Sequence, residues 1–226
     1  LADELIVRTE SGGYSPKTKI LCKPNWTCNS PVDGKSAFDQ RGINTDMHFV
    51  EGFIKSMRTK GPEDAYIREC ACPQLWEIHG WTQMTSDNNI DFRDLSSLDY
   101  WDLKEGRDIR FVKVPDGTFF KEVGFQAPTT ANDTFLLNIA KFKSHGMGIT
   151  ATVKNLQGLA GRRFHQYCTP YKDIMKGYGK NYSQFFQDDF EHRIEELHAR
   201  HVKDGVPRWN RPNEEKRGGI WQEMWA

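Results

Sequence analysis

Lys141, Lys143 and His145 occupy alternate positions in Lys141-Phe142-Lys143-Ser144-His145, just after the apolar run Thr134 to Ile139. In extended backbone alternate side chains project to one side, so this spacing is expected to gather two amines and an imidazole on one face. A lysine desolvated among other cations gives up its proton more readily and can act as base or nucleophile. Histidine titrates near neutrality and can pass a proton in either direction. Lys154, Asn155, Gly158, Arg162, Arg163 and His165 follow within twenty residues. From Thr134 to Lys172, 39 residues contain no Asp or Glu. The average of the chain would place about five acids there. The six lysines and arginines of this stretch leave the rest of the chain at a net charge of −6. A cationic segment carrying Gly146, Gly148, Gly158 and Gly161 after a buried strand is one way an α/β protein makes an anion site.

The elements that must position these groups are legible in part. Lys19-Ile20-Leu21-Cys22-Lys23 is a short apolar run stopped by Pro24, which cannot continue a central ladder. Thr45 or Asp46 can cap a helix in which Phe49, Val50, Phe53, Ile54 and Met57 share a face, with Gly61-Pro62 as its stop. A strand is expected from Ala65 to Cys70. Strand, helix and strand at this spacing make a βαβ unit with parallel strands and a right-handed crossover. Residues 74–108 show no sustained periodicity. Arg110 to Val114 alternates like a half-buried strand and Asp116-Gly117 follows as a turn. Thr134 to Ile139 reads as a central strand, Thr150 to Leu156 as a short helix, and Asp188 to Val202 as a longer one.

The expected fold class is therefore α/β, a mainly parallel sheet with flanking helices, in a single domain over 1–202. An irregular arm over 203–226 carries Trp209, Trp221 and Trp225. In a parallel sheet the carboxyl ends share one edge, where ligands bind. Lys23-Pro24-Asn25, Glu69-Cys70-Ala71-Cys72 and the Lys141 to His145 segment should meet there.

Lys23-Pro24-Asn25 after a strand, Thr45-Asp46 opening a helix, Lys141-Phe142-Lys143-Ser144-His145, Thr150, Lys154-Asn155-Leu156-Gln157-Gly158 and the later His165 together resemble the domain of unknown function 362 family over roughly residues 17–170. The resemblance implies a bacterial or archaeal protein of a family in which some members are fused to ferredoxin-like iron–sulfur modules. It also implies a later strand ending in an Asp/Glu-Gly loop. That loop does not occur before Ala226, so a chain truncated after 226, with part of its site beyond, is expected.

On these grounds the expected catalytic residues are Lys143, His145, Lys154 and His165. Lys23, Asn25, Lys141, Asn155, Gly158, Arg162 and Arg163 are the expected substrate contacts. The ligand class is a small carboxylate or phosphate, and an enzyme is favoured over a binding or assembly module. Such a module would use the Trp-rich arm and the Trp76 to Trp81 stretch as partner surfaces. A metal site is the other alternative, with His145 and His165 joined by Cys70, Cys72, Glu69 or Asp46, though the surrounding cations oppose a dication. Cys22, Cys28, Cys70, Cys72 and Cys168 lack ferredoxin spacing, so no iron–sulfur cluster is expected, while Cys28 and Cys72 could lie within disulfide reach. Balanced charge, 31 basic against 31 acidic residues, argues against a nucleic-acid binder, and no run is long enough for a membrane span. The missing initial Met leans towards a processed, exported chain.

Overall fold

The computed structural model describes residues 19–27, 43–70, 73–95, 98, 102–145, 148–150, 152–161 and 184–205. Its described residues form two compact units. The first runs to Arg110 and resumes from Phe125 to Gly161; the second holds Phe111–Gly124 and 184–205.

The first unit is built on a four-stranded sheet of β1 (Lys19–Pro24), β2 (Ala65–Ile67), β3 (Asp91–Phe92) and β6 (Thr134–Ile139), in the order β3-β2-β1-β6. Every neighbouring pair is parallel, with Ile20 opposite both Ala65 and Phe135. From β1 the chain steps outward through β2 to β3, and β6 then lands on the far side of β1. The strand order therefore reverses between β1 and β6, the place where open α/β sheets leave a crevice at their carboxyl edge.

Helix α1 (Met47–Arg58) makes the crossover from β1 to β2. Asp46 is its cap, accepting from Phe49 N at 3.0 Å and satisfying an otherwise unpaired donor of the first turn. Val50, Phe53, Ile54 and Met57 form its buried stripe and join Ile20, Cys22, Ala65, Ile67 and Leu137 in the core. Each such side chain contributes about 1.5–3 kcal/mol on burial.

The region without periodicity supplies two elements of the same layer. Helix α2 (Trp81–Asp87) follows a 3-10 turn at Pro73–Leu75, and β3 follows it. Trp76 and Trp81 are buried, which corrects their reading as a partner surface. Trp81 stacks on Trp26 with ring centroids 4.6 Å apart and planes 9° apart, and Phe92 packs edge-on to Trp26.

Strands β4 (Ile109–Lys113) and β5 (Glu122–Gln126) pair as a hairpin. In the second unit Phe119, Phe120, Phe186 and Phe190 cluster, and helix α4 (Phe190–Lys203) buries Ile194 and Leu197. The arm from residue 206 onward lies outside the described residues. No described helix is long and apolar enough to cross a membrane.

Two strand expectations are also corrected. The second strand ends at Ile67 rather than Cys70, because Arg68 and Glu69 are buried polar residues whose side chains take partners beyond the ladder. The Lys-x-Lys-x-His segment does not prolong β6. That strand stops at Ile139, residues 140–142 are irregular, and β7 (Lys143–His145) opens a separate antiparallel hairpin with β8 (Gly148–Thr150). One run of alternation therefore does not gather Lys141 with Lys143 and His145.

Candidate active site at the carboxyl edge

The carboxyl edge of the sheet is organised around Lys23 at the end of β1. Its side chain is 1% exposed. Nζ donates to Glu69 Oε2 at 2.6 Å, to Pro24 O at 2.5 Å and to Asn155 Oδ1 at 3.4 Å. Glu69, just past β2, is equally buried. It also accepts from Trp26 N at 3.2 Å and Cys70 N at 2.9 Å. A buried ion pair persists when further hydrogen bonds satisfy both partners, and here they do.

Helix α3 (Thr152–Leu156) and the 3-10 turn Gln157–Leu159 close over this pair. Asn155 Nδ2 donates to Lys23 O at 2.9 Å and to Asn138 Oδ1 at 2.7 Å; Asn138 Nδ2 donates to Thr152 O at 2.7 Å. Asn155 thus locks the turn to β1 and β6 at once. Gly158, three residues on, comes down on the ion pair itself. A Cβ there would lie 2.4 Å from Lys23 Cε and 2.6 Å from Glu69 Oε1. Its carbonyl accepts from Gln126 Nε2 at 2.9 Å. The Lys-Asn-x-x-Gly spacing therefore matches a helical turn laid flat against a buried salt bridge.

Beside it, Thr45 ties the ends of β1 and β6 together. Its Oγ1 accepts from Asn25 N and donates to Ile139 O, both at 2.8 Å, while its N–H donates to Asn25 O. Asn25 is half-buried and its Oδ1, shielded from solvent, has no hydrogen-bond partner among the described residues. Lys143 begins β7 half-buried and donates from Nζ to Ile43 O at 2.8 Å. Burial, then the charge of Lys154, then those of Lys141 and Lys23, lower its pKa to about 8, with Glu69 the opposing influence. Lys141 and Lys154 are half-buried.

The structure thus brings together Lys23, Asn25, Lys143, Lys154, Asn155 and Gly158, and places His145 opposite Gly148 in the β7–β8 ladder. Arg162, Arg163 and His165 lie outside the described residues, as do Cys28 and Cys72. Cys22 and Cys70 are buried, and burial pushes the Cys22 thiol up to about 12. Among the described residues no three His, Cys, Asp or Glu side chains converge on a metal-sized site. Asp46 is engaged as a helix cap and Glu69 with Lys23.

Sequence reasoning named Glu69 only as a possible metal ligand and passed over Asn138. The acid-free stretch was the available signal for Glu69, since its cations need a counter-charge from another segment. Asn138 is the polar residue inside the most apolar strand.

Fold and site together define a parallel α/β protein with a lysine-rich carboxyl edge set on a buried Lys–Glu pair. The chain belongs to the family described as Domain of unknown function (DUF362), whose model matches residues 20–204. No curated protein and no solved structure matches it.

Proposed function

We propose that the carboxyl-edge crevice binds a small carboxylate or phosphate and that the protein is an enzyme acting on it. The observation that carries this reading is the imbalance around Lys143. Its half-buried amine is pressed by Lys154 and Lys141, and the nearby carboxylate, Glu69, is already taken by Lys23. A cluster of like positive charges at a half-buried edge attracts an external anion. Lys141 and Lys154 would hold that anion, and Asn25 would orient the ligand by accepting from a hydroxyl or other donor beside its anionic group through Oδ1. Lys143 would supply the reactive amine, with His145 and His165 as proton carriers. Arg162 and Arg163 would be further contacts to the anion. Lys23, Asn155 and Gly158 would serve from beneath, as the frame on which the pocket rests.

The test is thermal stability of the purified chain with phosphate, nucleotides and small carboxylates. An anion at 100 times its dissociation constant should add about 2.7 kcal/mol. That shift should vanish in Lys143→Met while the unliganded variant melts cooperatively. An equal shift in the variant, or none in the wild type, would overturn the proposal.

A further inference from the structure

We propose that Lys143 is a covalent nucleophile that forms an imine with a carbonyl compound bearing a carboxylate or phosphate, a 2-oxo acid or a phosphorylated ketone or aldehyde. This deepens the anion-site reading and rests on it. Lys23 and Lys143 differ in how their amines are engaged, and the contrast favours Lys143. Lys23 spends its amine on Glu69, Pro24 O and Asn155 Oδ1 and is almost wholly buried, so a ligand cannot reach it. Lys143 is half-buried and donates to a backbone carbonyl, that of Ile43. A carbonyl accepts from a neutral amine as well as from an ammonium, so this bond aims the nitrogen without fixing its proton. A carboxylate partner would instead hold the charged form. The lowered pKa of about 8 agrees with that geometry. Neighbouring Lys141 and Lys154 then have a second use, because holding the anionic group of the ligand brings its carbonyl to the amine.

The step balances without an oxidant or reductant. The Lys143 nitrogen lone pair attacks the carbonyl carbon and the C=O π pair moves to oxygen, which takes up a proton. The resulting carbinolamine loses that oxygen as water while the nitrogen loses its protons to form C=N. Amine plus carbonyl gives imine plus water.

Borohydride trapping tests this directly, since hydride converts the imine to a stable secondary amine. The full chain would be incubated separately with pyruvate, with dihydroxyacetone phosphate and with uncharged dihydroxyacetone, reduced, and mapped by peptide mass spectrometry. At least one anionic probe should label Lys143 more than tenfold faster than any other lysine, since a pKa of about 8 against the ordinary 10.5 leaves roughly 300 times more neutral amine near neutrality. Dihydroxyacetone should label it weakly, and Lys143→Arg should remove the adduct. Which probe reacts separates the 2-oxo acid from the phosphorylated ligand. Labelling spread over other lysines, or no labelling while phosphate still stabilises the chain, overturns the imine and leaves the anion site standing. No labelling together with no anion-dependent stabilisation overturns both.

Discussion

At Lys23 and Lys143 the same side chain meets opposite electrostatics within one sheet edge. Lys23 is enclosed with a carboxylate at 2.6 Å, and removing either partner of such a pair typically costs about 3–5 kcal/mol. Lys143 is partly desolvated and faces Lys154, Lys141 and Lys23, with Glu69 the opposing charge. Its folded pKa of about 8 lies below the ordinary 10.5, so the unfolded chain holds that proton more tightly. The sign follows from linkage. Below pH 8 both states are protonated and the native state bears the full penalty; between pH 8 and 10.5 the native amine releases its proton and the penalty is relieved. Lys143→Met should accordingly be more stable than wild type at pH 7, with the gap narrowing by pH 10. Urea denaturation of both proteins at the two pH values checks this. A gap that does not change with pH would mean that the amine is not held in the way described.

Helix α3 shows how a short element can be fixed by what lies under it rather than by its own length. Five residues are too few for a stable isolated helix. Asn155 anchors it to β1 and β6, and Gly158 sets its height above the sheet. Gly158→Ala would drive a methyl into Lys23 and Glu69, neither of which has room to retreat. Overpacking of this kind costs roughly 1–3 kcal/mol. A lower melting temperature and weaker anion binding should appear together, and a variant melting like wild type would contradict the close packing. Elements were readable from sequence where one signal dominated, as in β1 with its terminal proline, α1 with its cap and apolar stripe, and the apolar β6. The seven-residue α2 follows Gly80 without a side-chain cap, and β3 has two residues, so neither offers a period to detect. The separate β7–β8 hairpin was hidden because nothing in Ala140-Lys141-Phe142 breaks the run.

At the scale of the whole chain, a net charge of zero conceals a segregated distribution, with the acid-free stretch Thr134 to Lys172 set against a remainder of −6. The lysines of the candidate site were visible for that reason, whereas Glu69 was not, because its partners Lys23 and Trp26 are 46 and 43 residues away in sequence and only the fold unites them. Attraction of an external anion by this distribution is screened by salt, whose Debye length falls from about 10 Å at 0.1 M to about 3 Å at 1 M. Phosphate affinity, measured calorimetrically, should therefore weaken steadily as sodium chloride is raised. Affinity indifferent to salt would point to hydrogen bonding alone. The Trp26–Trp81 stack has a different consequence. Two nearly parallel indoles 4.6 Å apart couple their electronic transitions, and the backbone N–H of Trp26 rests on Glu69. The ion pair beneath the crevice thus sits beside a native chromophore, so near-ultraviolet circular dichroism can follow its state with no label attached.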